Sequence, residues 1–141
     1  MAGDKHESLQ FLQEYKHIAI VGISINPSRP SNYVAHYLQS VGYDIIPVNP
    51  NYVGQTVLGK HIYPSLTEAR KAGEPIEIVD VFRRSQYVLP IAEEAIRVGA
   101  KVLWLQMGVR NDKAAQEAEE AGLIVIQDRC IKIEHALYFS R

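Results

Sequence analysis

The stretch HIAIVGISINPSRPSNYVAHYLQS, residues 17–40, sets a short apolar run, a polar loop and an amphipathic segment in a row. His17–Val21 is an apolar run of strand length, and Gly22 closes it. From Pro30 to Ser40, with Val41 just beyond, the residues Val34, Tyr37, Leu38 and Val41 follow the i, i+3, i+4, i+7 spacing of one helix face. Gly42 then stands where a helix ends in the left-handed conformation. A buried strand feeding a helix through a loop is the opening half of a βαβ unit.

Working outward, the same alternation repeats. Asp44–Val48 (DIIPV) reads as a second strand, although Pro47 removes a ladder donor and predicts a broken or early end. Ser65-Leu66-Thr67-Glu68 is a capping box that opens a short helix to about residue 72. Strands are expected over 76–82, 102–106 and 123–126. Helices are expected from Ser85 as cap to Arg97, over 111–121 and over 131–139, with a short leading helix over 8–15. Strands alternating with helices predict a doubly wound, mostly parallel five-stranded sheet flanked by helices. With the strands numbered along the chain, the expected order is 3-2-1-4-5, which puts the ligand crevice between the first and fourth strands.

The 141 residues fit one domain, 1–141, and no linker or repeat interrupts them. A net charge of −1 argues against nucleic acid or an anionic membrane surface as partner while allowing a local basic pocket. The single cysteine excludes an intrachain disulfide framework. The opening MAGDKHESLQFLQEY has no apolar signal core, and no run nears the roughly 20 residues of a membrane span. A reducing, cytoplasmic setting is expected. The five histidines form no H-x-x-x-H pair, so no metal site is expected.

Four loops should meet at the crevice. In the first, Gly22, Ser24, Ser28, Arg29, Ser31 and Asn32 lead into a helix N-terminus, where free N–H groups, hydroxyls and a guanidinium suit phosphate. It lacks the G-x-G-x-x-G pattern, and an ordinary βα turn with Ser31 as helix cap is the plainer alternative. In the second, Val48-Asn49-Pro50-Asn51 offers no carboxylate for the ribose of NAD, and Lys60 further on makes that edge neutral to basic. The third, Phe82-Arg83-Arg84, offers a ring face for a purine and two guanidiniums, or else two solvated arginines before a helix. The fourth, Gln106-Met107-Gly108-Val109, suits an uncharged arm of a ligand, or is a plain strand exit. Cys130, in Asp128-Arg129-Cys130, is the one reactive candidate; a buried structural cysteine is the ordinary alternative. Glu134 and His135 read as helix-surface or tail-packing residues.

The blocks VGISINPSRPSNYVAHYLQSVGYDIIPVNP (21–50), VDVFRR (79–84), VLWLQMGV (102–109) and DRCIKIEH (128–135) resemble the small stand-alone CoA-binding proteins of the YccU-like family. That family is similar to the amino-terminal domain of the succinyl-CoA synthetase α subunit. The resemblance spans about 17–135 and implies a single Rossmann-like domain with coenzyme A or an acyl-CoA at the strand ends. By position it implies a phosphate-binding turn at Ser24, Arg29, Ser31 and Asn32. It implies an adenosine side at Val48, Asn49 and Pro50, faced by Phe82 and Arg83, and a pantetheine path at Gln106, Met107 and Gly108. No ligase domain like that of the synthetase is expected, and neither is its activity. The expectation is a binding module without catalysis of its own. An NAD(P)-dependent enzyme, or an interaction domain with a vestigial nucleotide site, is the alternative.

Overall fold

The computed structural model describes residues 9–140. Helix α1 (Phe11–Glu14) leads into β1 (His17–Val21), α2 (Pro30–Ser40) and β2 (Asp44–Val48). A 3-10 turn at Pro50–Tyr52 and a hairpin of β3 (Thr56–Val57) and β4 (Lys60–His61) come before α3 (Leu66–Lys71). Next are β5 (Ile78–Val81), a 3-10 turn at Ser85–Tyr87, α4 (Val88–Arg97), β6 (Val102–Leu105), α5 (Asp112–Glu120), β7 (Ile124–Ile126) and α6 (Ile131–Tyr138). Residue 8, where the leading helix was expected to begin, lies outside the described residues. No helix among those residues is long and apolar enough to cross a membrane.

The main sheet has five strands, all pairs parallel, in the order β2-β1-β5-β6-β7. The expected order was wrong. Strand 78–81 lies between the first and fourth strands rather than outside the second, so the direction of winding reverses between β1 and β5. Pro47 supplies the physical reason. β2 is an edge strand, and the Pro47 carbonyl accepts from the Tyr63 N–H at 3.0 Å on the outer side. In a parallel ladder a residue's N and O face the same neighbour, so the donor that proline lacks also points outward. An interior second strand would need that donor, whereas an edge strand does not. For the same reason β2 runs unbroken to Val48.

Each face of the sheet carries its own core. Ala19, Val21, Val79, Val81, Leu103 and Leu105 pack under α3, α4 and α5, while Ile18, Ile20, Ile78, Val102 and Trp104 pack under α1, α2 and α6. Strand alternation sorts residues to the two faces and leaves the strand exits at one edge, facing the starts of α2 and α6.

Two local readings change. Ser85 caps no helix: it opens a 3-10 turn, and its hydroxyl accepts from the Arg110 N–H at 3.0 Å. Lys60 is far from the strand exits. The hairpin carries it to the opposite edge, where its Nζ lies 2.7 Å from Asp44 Oδ1.

Candidate functional site at the strand exits

A cleft of about 700 Å³ opens where the exits of β1, β5 and β6 meet the starts of α2 and α6. Because the winding reverses between β1 and β5, their exits diverge into helices on opposite faces and leave a crevice. Gly22 permits the close approach of the two loops. Its φ is +90°, and a Cβ there would stand 2.6 Å from the Phe82 carbonyl oxygen and 2.9 Å from the Arg83 side chain. A side chain would therefore be strained and would also wedge β1 from β5.

The loop after β1 is fixed by its own side chains. The Ser24 N–H donates to Ser31 Oγ at 2.8 Å, and Asn32 Nδ2 donates to the Ser24 carbonyl at 2.8 Å. Ser28 donates through its N–H and its hydroxyl to Asn26 Oδ1. Arg29 is the cap residue of α2 and Pro30 its first helical position, so Ser31 is not the cap. Asn49 braces the same loop: its Nδ2 donates to the Ile23 carbonyl at 2.9 Å, and its Oδ1 accepts from the Asn51 N–H at 2.9 Å.

Gly22, Ser24, Arg29, Ser31, Phe82, Arg83, Arg84, Gln106, Met107 and Gly108 all line the cleft. Asn49 lines a smaller recess of about 310 Å³ that shares Gly22, Ser24 and Arg29 with it. Asn32, Val48 and Pro50 do not line the cleft. Asn32 is buried as the loop brace, Val48 is a buried strand residue paired with Val21, and Pro50 is an exposed turn residue. The sequence reading missed Tyr33, Lys132 and Ile133, which line the cleft because α6 packs against α2. Lys132 and Ile133 stand at the start of the helix after the last strand, and Tyr33 in the first turn of α2, and those positions were their only signal.

The charges are unevenly matched. Arg110 pairs with Asp112 and Arg129 with Glu134, the latter at 2.6 Å. Among the described residues, Arg29, Arg83 and Arg84 pair with no carboxylate. The Arg83 guanidinium sits 5.0 Å from the Tyr87 ring centre, and Lys132 lies over the rings of Tyr33 and Tyr37. These unmatched guanidiniums beside a helix N-terminus give the cleft a positively charged rim.

The floor is rigid. Gln106 is buried, and its Oε1 accepts from the Ile131 N–H at 3.1 Å, tying the exit of β6 to α6. Asp128, with φ +58°, accepts from the Gly108 N–H at 2.7 Å. Cys130 lines the cleft half-buried rather than fully buried. His135 is buried, not on the helix surface; Tyr37 Oη lies 2.8 Å from its Nδ1, and burial lowers the ring's pKa.

One residue was overlooked altogether. Asp80, in β5, has no exposed surface and neither carboxyl oxygen has a partner. Its neighbours across the sheet are Ile20 and Trp104, and burial pushes its carboxyl well above the ordinary range.

These features define a parallel α/β protein with a basic cleft at a switch in strand order. Comparison with known proteins narrows the class. The profile of a family described as "CoA binding domain" matches residues 16–136, and the chain belongs to that family. Bacillus subtilis YneT is 44% identical over 133 residues, covering 94% of this chain and 95% of that protein. A Thermus thermophilus structure, cell-free ID.343, is similar with a TM-score of 0.89 at 34% identity, over 96% of this chain and 99% of that one. A hypothetical protein from Pyrococcus horikoshii OT3 is similar with a TM-score of 0.88 at 40% identity, over 95% of this chain and 91% of that one. An acetyl-coenzyme A synthetase of Ca. Korarchaeum cryptofilum shares the fold over 83% of this chain and 26% of its own, with a TM-score of 0.68 at 21% identity.

Proposed function

We propose that this protein is a single-domain module that binds coenzyme A, free or acylated, in the strand-exit cleft and does so without catalysis of its own. The observation that carries the reading is the set of three unmatched guanidiniums, Arg29, Arg83 and Arg84, on one rim of a 700 Å³ cleft. Coenzyme A brings a pyrophosphate and a ribose phosphate to such a rim, and the volume lies within the usual range for small-ligand clefts. Phe82, half-buried beside Arg83, offers a ring face to the adenine. Gln106, Met107 and Gly108 offer a mostly uncharged path to the pantetheine arm. Membership of the CoA binding domain family supports the same ligand. The absence of a carboxylate after β2 disfavours NAD, since Asn49 there is spent on the Ile23 carbonyl and the Asn51 N–H. With one cysteine and no disulfide framework, we place the protein in the cytoplasm.

The test is titration of coenzyme A while following the melting temperature. A ligand that binds only the folded state raises Tm with concentration. Removing the 3′-phosphate should weaken the effect if a guanidinium reads it. No rise at millimolar coenzyme A would overturn the reading.

A further inference from the structure

The cleft has two chemically different sides. Its unmatched guanidiniums come from the loops after β1 and β5. The side built by the exit of β6 and the first turn of α6 presents Met107 and Ile133 instead. Met107 is 62% exposed, more than any other large apolar side chain among the described residues, and Ile133 is 47% exposed. Tyr33, on α2, lines the same cleft and is exposed too. Leu137 follows Ile133 by one turn of α6 and is also exposed, so the apolar strip runs on from the cleft along the helix. Exposed apolar side chains gathered at a cleft, rather than scattered singly, mark a surface that a ligand covers. The charges on this side are already engaged. Arg129 pairs with Glu134, the Lys132 ammonium lies over the Tyr33 and Tyr37 rings, and the exposed Asp128 carboxylate accepts from the Gly108 N–H at 2.7 Å. A further carboxylate brought to the exit of β6 would lie beside Asp128, whereas an uncharged chain gains by covering Met107 and Ile133.

We infer that the cleft selects coenzyme A carrying an uncharged, apolar acyl chain of several carbons, with the chain lying over Met107 and Ile133. This deepens, and rests on, the reading of the cleft as a coenzyme A site. With the phosphates on the guanidinium rim and the pantetheine arm along Gln106–Gly108, the thioester reaches the end of β6. The acyl chain then continues over Ile133 toward Leu137. Met107 suits this role, because an unbranched, polarisable side chain adapts to chains of different shape. No bond forms or breaks; affinity comes from the apolar surface that ligand and cleft remove from water.

The experiment titrates the full chain calorimetrically with coenzyme A and with its acetyl, butanoyl, hexanoyl and succinyl thioesters. A methylene fully removed from water tightens binding about fourfold, and one half removed, in a cleft open to solvent, about twofold. Hexanoyl-CoA carries four more methylenes than acetyl-CoA and should bind about tenfold or more tighter. Its heat-capacity change on binding should be the more negative of the two. Butanoyl-CoA should bind tighter than succinyl-CoA, which has the same number of acyl carbons but ends in a carboxylate. In a chain carrying Met107→Ser with Ile133→Ser, the ratio of hexanoyl to acetyl affinity should fall toward one. Both side chains are exposed, and an unchanged circular dichroism spectrum and Tm check that the fold survives. Equal affinities for hexanoyl-CoA and acetyl-CoA, a preference for succinyl-CoA over butanoyl-CoA, or a hexanoyl preference that persists in the double variant would each overturn the selectivity and leave the binding reading standing. If neither coenzyme A nor any of its thioesters binds, the binding reading falls, and the selectivity with it.

Discussion

The two edges of the sheet handle charge in opposite ways. At the edge where the strands begin, the carboxylates of Asp44 and Glu77 are both engaged. Asp44 takes both His17 Nδ1 at 2.8 Å and Lys60 Nζ at 2.7 Å, and Glu77 Oε1 accepts the backbone N–H groups of Lys16 and His17. At the edge where the strands end, Arg29, Arg83 and Arg84 have no carboxylate among the described residues. Both edges are built from the same strands, so the fold does not require the asymmetry. The starting edge uses charge to pin a hairpin; under the proposed function, the finishing edge keeps charge for an anion that arrives from outside.

The largest effect should come from removing that reserve. Arg29→Ala combined with Arg83→Ala should weaken coenzyme A binding by about 100-fold or more, since each charge-assisted hydrogen bond contributes about 1.5–3 kcal/mol. Calorimetric titration measures the loss, and an unchanged circular dichroism spectrum with Tm close to the parent's shows that the fold survives. Unchanged affinity would break the comparison, because the finishing edge would then hold cations for no ligand.

Gly22→Ala tests whether the two loops must touch. The new Cβ meets the Phe82 carbonyl oxygen at 2.6 Å in a backbone with φ +90°. Forcing that contact should cost about 1–3 kcal/mol of stability and lower coenzyme A affinity as well. Denaturant unfolding of the free chain measures the first and titration the second. A variant as stable as the parent would mean that the two exits can separate freely.

Much of this asymmetry was legible before any coordinates. The run 17–21, the face Val34-Tyr37-Leu38 and the run Val102–Leu105 each carry one clear period, and local period is what a chain displays directly. Gly22, Arg29 and Phe82–Arg84 were legible because they sit immediately after such runs. Strand order was not, because the hydrophobic pattern does not say which neighbour a strand takes. The one clue lay in Pro47, whose missing donor marked an edge strand and not a broken one. The hairpin Thr56–His61 was illegible as strands, since two residues show no alternation. Its turn at Leu58 and Gly59, both with positive φ, was the only local trace. Lys60 was therefore placed on the wrong edge. Tyr33 and Lys132 enter the cleft through the packing of α2 on α6, a contact far apart in sequence. Asp80 was hidden inside a run that otherwise reads as an ordinary buried strand.

Asp80 belongs to neither edge, and it sharpens the contrast between them. Its carboxyl is raised by burial and has no partner. The folded chain thus holds a proton that the unfolded chain releases near 3.8, the ordinary carboxylate value. That group's contribution to stability is complete below 3.8 and declines as pH rises through that value toward the folded one. Asp80→Asn, which cannot ionise, should flatten this decline and stabilise the chain at pH 7 by about 1–3 kcal/mol. Urea midpoints at several pH values measure it. A destabilised variant with an unchanged pH profile would mean that the carboxyl is satisfied in solution.

The smallest effect belongs to the starting edge and has the opposite sign. Burial tends to raise the Asp44 carboxyl, but hydrogen bonds from Lys60 and His17, and then their charges, outweigh it and hold the group below the ordinary value of 3.8. A depressed carboxylate contributes stability that is present above 3.8 and is lost as pH falls through the folded value. Since Asp44 and both its partners are about one-third exposed, solvent screens the pairs. Asp44→Asn should cost no more than about 1 kcal/mol near neutrality. The cost should vanish in acid and shrink with added salt, because exposed pairs weaken as ionic strength rises. Coenzyme A affinity should stay at the parent value, because the strand length separates this cluster from the cleft. A matching loss of affinity would show that the two edges are coupled through β1 and β2, and the division of charge between a structural edge and a receptive one would fail.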